Sequence, residues 1–325
     1  KNKALNIINR KSYHRAYQSE TVHLLRAENN TAPAMDLSFS DQEIQDDQLR
    51  MIFTCCHPAI SPDSQIALAL KTLCGFSIPE IAKAFLTSEE NINKRLVRAR
   101  QSIRDAKIPF ELPQGAALEK RLNTVTETIY LLFNEGYSAS KGDDIIRYEL
   151  CEEAIRLAQI IIADNTIQHK EIVHALTALM YINASRFKAR QDSDGNLLTM
   201  EEQDRSLWDT ALLGIGLGHL SAATQNDSIS IYHILAAISA QYSIAPDYES
   251  TDWSGILSLY DNLLLLDNSP LILLNRAIVV SKVDGPKKAL NELEQIGSNN
   301  FLQSYYLFYS TKAEFYIQLS DFNNA

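Results

Sequence analysis

Apolar residues in this chain of 325 residues recur three and four positions apart along almost its whole length, and no stretch alternates apolar with polar residues as a strand would. A 3.6-residue period gathers such residues on one face of a helix, whereas a pleated strand needs a period of two. The pattern restricts the chain to an all-α fold. Gly and Pro number only 11 and 9, so few residues interrupt the helices. Hydrophobic residues make up 46%, enough for a packed core, and no apolar run approaches the ~20 residues of a membrane span. The length argues for about two domains of roughly 150 residues each. Four cysteines, Cys55, Cys56, Cys74 and Cys151, do not make a disulfide framework in a chain of this size, and no secretory leader is recognisable. A cytoplasmic protein with no membrane partner is expected. The chain starts at Lys1 rather than Met and stops at Ala325 inside an expected helical hairpin, so a piece of a longer protein is expected.

Charge is divided unevenly. Residues 1–114 hold 15 Lys and Arg against 13 Asp and Glu, for +2, and residues 115–325 hold 15 against 27, for −12. Between Lys94 and Lys107 stand six bases (Lys94, Arg95, Arg98, Arg100, Arg104 and Lys107) and one acid, Asp105. Such a run is either a nucleic-acid footprint or a solvated helix face.

After a short helical start over 1–28, the polar stretch Asn29 to Asp46 reads as a linker. Leu49, Ile52, Phe53 and Cys56 then fall at i, i+3, i+4 and i+7, one apolar stripe ending at Pro58. Ser61-Pro62 supplies an N-cap and a first-position proline for a helix bearing Ile66, Leu70 and Leu73, closed by Gly75. The stretch "RMIFTCCHPAI", Arg50 to Ile60, sets two cysteines beside a histidine. On a helix each residue turns ~100° from the last, so Cys55, Cys56 and His57 point apart. Neither an i, i+4 ligand pair nor a C-x-x-C occurs here, and core cysteines without a metal are expected.

Ser77-Ile78-Pro79-Glu80 has the form of a capping box for a short helix running to Phe85. A turn at Leu86-Thr87-Ser88 leads into a second helix, about Glu89 to Lys107, whose Ile92, Leu96, Ala99 and Ile103 share one narrow arc. The opposite arc carries Glu90, Lys94, Val97, Arg98 and Gln101. Two capped helices joined by a short turn, the second polar and basic on its outer face, form a helix-turn-helix whose second helix suits the major groove.

The stretch "FSIPEIAKAFLTSEENINKRLVRARQSIRDA" resembles region four of bacterial RNA polymerase sigma factors of the extracytoplasmic-function type, above all in E-I-A at Glu80 to Ala82 and R-L-x-R-A-R at Arg95 to Arg100. "FTCCHPA" resembles the signature of one subgroup. Its long helical C-terminal extension is resembled by "LLFNEGYSAS" (Leu131 to Ser140), "CEEAIRLA" (Cys151 to Ala158) and "QDRSLWD" (Gln203 to Asp209). "NKALNIINR", Asn2 to Arg10, is similar to the tail of region two, most of which is absent. The resemblance implies promoter DNA and RNA polymerase core as partners. It places base- and backbone-reading roles on Asn93, Lys94, Val97 and Arg98, three of which lie on the outer arc, and phosphate contacts on Arg95, Arg100 and Arg104. Glu89 and Glu90 stand where the family carries small or neutral residues, and Thr87 where an aliphatic is common.

The implied organisation is a region-two tail at 1–28, a linker at 29–46, region four at 47–113 and a helical extension at 114–325. In that extension Leu122, Val125, Ile129 and Leu132 make a long amphipathic helix ended by Gly136. "NRAIVVSKVDGPKKAL" and "TKAEFYIQLSDFNNA" align with Ala277 against Ala313 and Ala289 against Ala325, a tetratricopeptide-like repeat suited to a protein or small-molecule regulator. Gly214, Gly216 and Gly218 spell G-x-G-x-G with no preceding strand, which points to close helix packing and to no nucleotide. Asp192, Asp194 and Asn196 read as a polar turn, their glycine being misplaced for a calcium loop. Glu135, Asp143 and Asp144 lack a nucleophile or cleft, so no catalytic residue and no cofactor is expected. The expected function is that of a sigma factor. A conventional helix-turn-helix regulator and a helical-repeat adaptor with a vestigial helix-turn-helix are the alternatives.

Overall fold

A computed structural model of the protein describes residues 41–85, 87–137, 146–225, 228–303 and 305–322. The expected region-two tail, most of the expected linker and residues Asp143, Asp144 and Ala325 lie outside them. The described residues are helical, with no strand among them and one isolated bridge between Gln191 and Leu197. They fall into two compact units, the first reaching Val173 and the second running from His174.

The first unit contains α1 (Asp41–Cys55), α2 (Pro62–Thr72), α3 (Ile78–Phe85), α4 (Glu89–Asp105), α5 (Ala116–Tyr137) and α6 (Tyr148–Ala163). Helix α1 already runs from Asp41, the first described residue, through the end of the stretch read as a linker, where its polar turns carry no apolar stripe to announce it. It is buried more completely than a single stripe implies, since Met51, Thr54 and Cys55 are covered along with Leu49, Ile52, Phe53 and Cys56. The cover comes from α2, α5 and α6, all of which pack against α1. Polar side chains fasten this packing. Buried Arg121 of α5 donates to the Phe53 carbonyl, and Thr128 donates to Gln65 Oε1 at 3.1 Å. The Gln65 amide in turn donates to the carbonyls of His57 and Ile60 at 3.0 and 2.9 Å. Arg156 of α6 donates to the Leu73 carbonyl at 3.3 Å.

Helix α2 ends at Thr72, and the chain turns away from it through Gly75, whose φ of +68° is the left-handed conformation glycine adopts freely. The expectation for Gly136 requires correction. It does not terminate α5 but lies buried within it, where a Cβ would stand 2.8 Å from the Arg147 carbonyl, Leu150 Cβ and Cys151 Sγ. The glycine is there to let α5 and the start of α6 touch.

Helix α7 (Glu171–Ala184) spans the change of unit. The second unit continues with 3-10 turns at Phe187–Ala189 and Arg205–Leu207, then α8 (Thr210–Ala223), α9 (Ile231–Ile244), α10 (Trp253–Leu266), α11 (Pro270–Val283), α12 (Pro286–Ile296), α13 (Asn300–Gln303) and α14 (Tyr306–Gln318). From α9 to α12 each helix packs against the next. Ala277 and Ala289, both fully buried, let α11 and α12 approach closely around Leu274, Val280, Leu290 and Leu293, with Phe308 and Phe315 of α14 closing that core. Among the described residues no helix is long and apolar enough to cross a membrane.

Candidate nucleic-acid interface

The capping box forms. The Ser77 amide donates to Glu80 Oε2 at 2.7 Å, and the Glu80 amide donates to Ser77 Oγ at 3.4 Å. Ser88 Oγ accepts from the Asn91 amide at 3.2 Å, and Asn91 Nδ2 donates to Thr87 Oγ1 at 3.0 Å, so the turn and the start of α4 are tied to each other. Helix α4 rests on α2 and α3 through buried Ile92, Leu96 and Ala99. Two expectations shift. Ile103 is only half-buried, and the helix stops at Asp105, with Lys107 in a left-handed conformation at φ +46°. Cover thins toward the end of α4, where Ser102 and Ile103 are half-buried and Arg104 and Asp105 exposed.

The outer arc is as expected: Glu90, Lys94, Val97, Arg98 and Gln101 are all exposed. Val97 is 59% exposed, an apolar side chain in the middle of a polar face. Lys94 pairs with Glu90 at 2.8 Å across one turn. Arg104 donates to Gln101 Oε1 at 2.7 Å, and Gln101 donates to Asp105 Oδ1 at 2.5 Å. Asn93 and Arg100 are exposed, and the ~100° rotation per residue sets them and Arg104 on one flank with Arg95 on the other.

Arg95 differs from the other bases. It is half-buried, pairs with Asp63 of α2 at 3.2 Å, and lies 5.5 Å over the Phe85 ring of α3. One guanidinium therefore touches both helices that carry α4. Beside it a cleft of about 320 Å3 is lined by Ser61, Asp63, Ser64, Asn91, Lys94, Arg95 and Arg98. Of the seven residues assigned from sequence, Lys94, Arg95 and Arg98 meet in this cleft, while Asn93, Val97, Arg100 and Arg104 do not line it. The partners from α2, Asp63 and Ser64, were missed, because only folding brings residues some thirty positions apart onto one wall. Their sole local signal is the Ser61-Pro62 helix start.

The cysteine stretch has the chemistry of a core. All four cysteines are buried, and Cys55 Sγ lies 3.1 Å from Thr72 Oγ1. Burial pushes the Cys55 thiol far above its ordinary value and the Cys56 thiol up to about 12, so neither is a thiolate at neutral pH. Burial also lowers the pKa of His57, whose Nδ1 accepts the Ala59 amide at 3.1 Å. Among the described residues no group of three or more His, Cys, Asp or Glu is placed to hold a metal ion.

The other motifs resolve as local structure. Asp192 accepts from the amides of Asp194 and Asn196 at 2.9 and 2.8 Å, with Gly195 at φ +86°, which is a closed polar turn. Glu135 lies 3.6 Å from Arg147, and burial raises its pKa against the pull of that arginine. In the glycine triplet only Gly216 serves close packing, its Cβ position being 2.7 Å from Ile182 Cγ1. Gly214 and Gly218 face open space. In "QDRSLWD", Asp204 caps the 3-10 turn and Asp209 caps α8, accepting from the amides of Ala211 and Leu212 at 3.1 Å.

Comparison with known proteins agrees with this geometry. Residues 121–224 match a family of unknown function, DUF6596, across the change of unit. An uncharacterized protein of Rhizobium meliloti (strain 1021) is 38% identical over 275 residues, which is 85% of this chain, and the chain spans 64% of that relative's length. No solved structure matches. Residues 50–103, from the middle of α1 to near the end of α4, match sigma-70, region 4, so the chain carries a region 4 helix-turn-helix domain like that of sigma factors.

Proposed function

We propose that the protein is a sigma factor of the extracytoplasmic-function type, whose region four binds the upstream promoter element through α4 while the chain engages RNA polymerase core. The observation that carries this reading is a rigid helix with two opposed faces. Ile92, Leu96 and Ala99 are buried, and Val97 stands exposed among Lys94, Arg98 and Gln101. A basic, hydrogen-bonding face with one apolar side chain suits base edges and a thymine methyl in the major groove. Arg98 and Lys94 read bases, with Asn93 beside them, and Arg100 and Arg104 meet phosphates from the flank. Arg95 steadies α4 between α2 and α3 and adds its charge to the same edge.

The helices behind the interface form a tetratricopeptide-like extension that takes a protein or small-molecule regulator, a reading supported by the serial packing of α9 to α12 and the paired alanines Ala277 and Ala289. The region-two tail at 1–28 and the 29–46 linker complete the proposed organisation. The test is a salt titration of the full chain on a duplex selected from a random pool and on its scrambled form. The selected duplex is expected to bind roughly a thousandfold tighter, with affinity falling as salt rises. Equal binding to both duplexes refutes promoter reading, and salt-independent binding refutes phosphate contact.

A further inference from the structure

Glu90 is an acid in the middle of a face that meets a polyanion, if α4 enters the major groove as proposed. At ~100° per residue, Val97, Glu90, Gln101 and Lys94 fall within about 60° of one another, opposite buried Ile92, Leu96 and Ala99, and all four are exposed. Glu89 is turned ~100° from Glu90, toward the flank that carries Asn93 and Arg100. The N-terminal part of a recognition helix is the part that reaches base edges, and α4 begins at Glu89 and Glu90.

Such a position is costly unless the carboxylate is matched. Duplex DNA carries about one negative charge per 1.7 Å of its axis, so an unmatched carboxylate on the docking face is repelled. Glu90 Oε1 lies 2.8 Å from Lys94 Nζ, one turn on, with the two side chains 75% and 57% exposed. The pair therefore presents an anionic acceptor and a cationic donor side by side and open to solvent. Acids in a first turn and Glu-to-Lys pairs four residues apart also steady a helix. Helix support alone does not ask for an acid at the centre of the outer face, since Glu89 already places one in the first turn.

Major-groove edges offer two amino donors to such a carboxylate, cytosine N4 and adenine N6. Each is hydrogen-bonded to an oxygen of the paired base, guanine O6 or thymine O4, at about 2.9 Å. Acceptor and donor in the Glu90–Lys94 pair are 2.8 Å apart, so they match that donor and acceptor in spacing and with opposite polarity. The flanking groups separate the two base pairs. Adenine sets its N7 acceptor beside N6, where it repels a carboxylate, and thymine sets its methyl beside O4, where it excludes an ammonium. Cytosine has no acceptor beside N4, and guanine sets a second acceptor, N7, beside O6. An ammonium has three donors, enough to meet guanine while keeping its carboxylate partner.

We infer that Glu90 is a specificity-determining residue and that the Glu90–Lys94 pair reads one C·G base pair, the carboxylate accepting from cytosine N4 and the ammonium donating to guanine. The inference rests on the region-four reading and adds to it the identity of one base pair.

Selection of duplexes from a random pool by the full chain, repeated with Glu90→Gln and Glu90→Ala, tests the assignment. The unchanged chain is expected to select one C·G pair that both variants cease to select, while the other positions of the element stay the same. Replacing that pair by A·T, T·A or G·C is expected to weaken the unchanged chain roughly ten- to a hundredfold. A side-chain amide suits adenine N6 and N7, so Glu90→Gln is expected to shift toward adenine at that position. Glu90→Ala is expected to bind the four duplexes alike. It is also expected to bind a scrambled duplex at least as tightly as the unchanged chain, because a charge facing phosphates is gone, whereas a folding defect weakens every duplex. An element identical in all three proteins, or weaker binding of the scrambled duplex by both variants, overturns the inference and leaves the region-four reading standing. An unchanged chain that selects no element overturns both.

Discussion

Gly214→Ala, Gly216→Ala and Gly218→Ala are chemically identical changes in one helix turn and a half, yet their effects on stability should differ in sign. All three residues lie inside α8, where glycine costs roughly 0.5–1 kcal/mol relative to alanine through backbone entropy. At Gly214 and Gly218 an added Cβ meets nothing within 4 Å, so each substitution should recover that cost and stabilise by roughly 0.5–1 kcal/mol. At Gly216 the Cβ would stand 2.7 Å from Ile182 Cγ1, 3.1 Å from Ile182 N and 3.2 Å from the Ala178 carbonyl. The Ile182 side chain can turn away, but the α7 backbone cannot, and overpacking of this kind costs about 1–3 kcal/mol. Subtracting the entropic gain of roughly 0.5–1 kcal/mol leaves a net loss of roughly 0–2.5 kcal/mol, about 1 kcal/mol at mid-range. Thermal unfolding measures it, at about 2–4 °C per kcal/mol for a unit the size of 174–325. Gly214→Ala and Gly218→Ala should melt higher than the unchanged chain and Gly216→Ala several degrees lower. If Gly216→Ala stabilises as much as the other two, α7 and α8 do not touch at this glycine, and the packing argument fails.

Arg98→Ala should lose about 1–3 kcal/mol on the selected duplex and relax discrimination at one base pair, while Arg104→Ala should weaken selected and scrambled duplexes alike and reduce the salt slope by about one. Equal losses on both duplexes for Arg98→Ala would assign it to phosphate. Protein purified without chelator should carry no stoichiometric zinc, and a thiol reagent should label Cys55 and Cys56 only on unfolding, because burial holds both thiols protonated. Metal analysis showing about one zinc per chain, lost in Cys55→Ser, refutes that. His219 lies with His174 across an Nδ1···Nδ1 contact of 2.9 Å and stacks on Tyr181, and burial followed by the neighbouring histidine lowers its pKa below 6.5. The unfolded chain therefore takes up a proton first as pH falls below 6.5, so stability should decline from there downward. His219→Gln should flatten that decline in melting curves at pH 7.5 and 5.5, and an unchanged slope would place the titrating group elsewhere.

The helix-turn-helix was legible because every signal for it is local. Ser77 and Glu80 lie three residues apart, Ser88 precedes the amide it caps by three, and Ile92, Leu96 and Ala99 repeat at helical spacing, so backbone geometry alone relates them. The burial of Cys56 on the stripe with Leu49, Ile52 and Phe53 was legible for the same reason. The helical conformation of 41–46 was not, since a polar turn has no periodic stripe, and Gly136 was misread because a glycine that ends a helix and one that admits a neighbour look alike in one dimension.

By itself, then, the sequence determined the helical class, the caps of α3 and α4, and which side chains of α4 face away from their support, all properties of spacing within a few residues. Only the tertiary structure decided that α5 and α6 close the core over α1 and α2, with Arg121 reaching the Phe53 carbonyl, Thr128 reaching Gln65 and Arg156 the Leu73 carbonyl. It likewise decided that Arg95 is shared between Asp63 and Phe85, and that Arg205 ties the 203–209 stretch to the Tyr242 and Ala245 carbonyls at the end of α9. Those facts join residues tens of positions apart. Contacts at such separations are set by which apolar faces can be buried together and by which polar groups are left over when they are, and neither quantity is written in any local stretch of the chain.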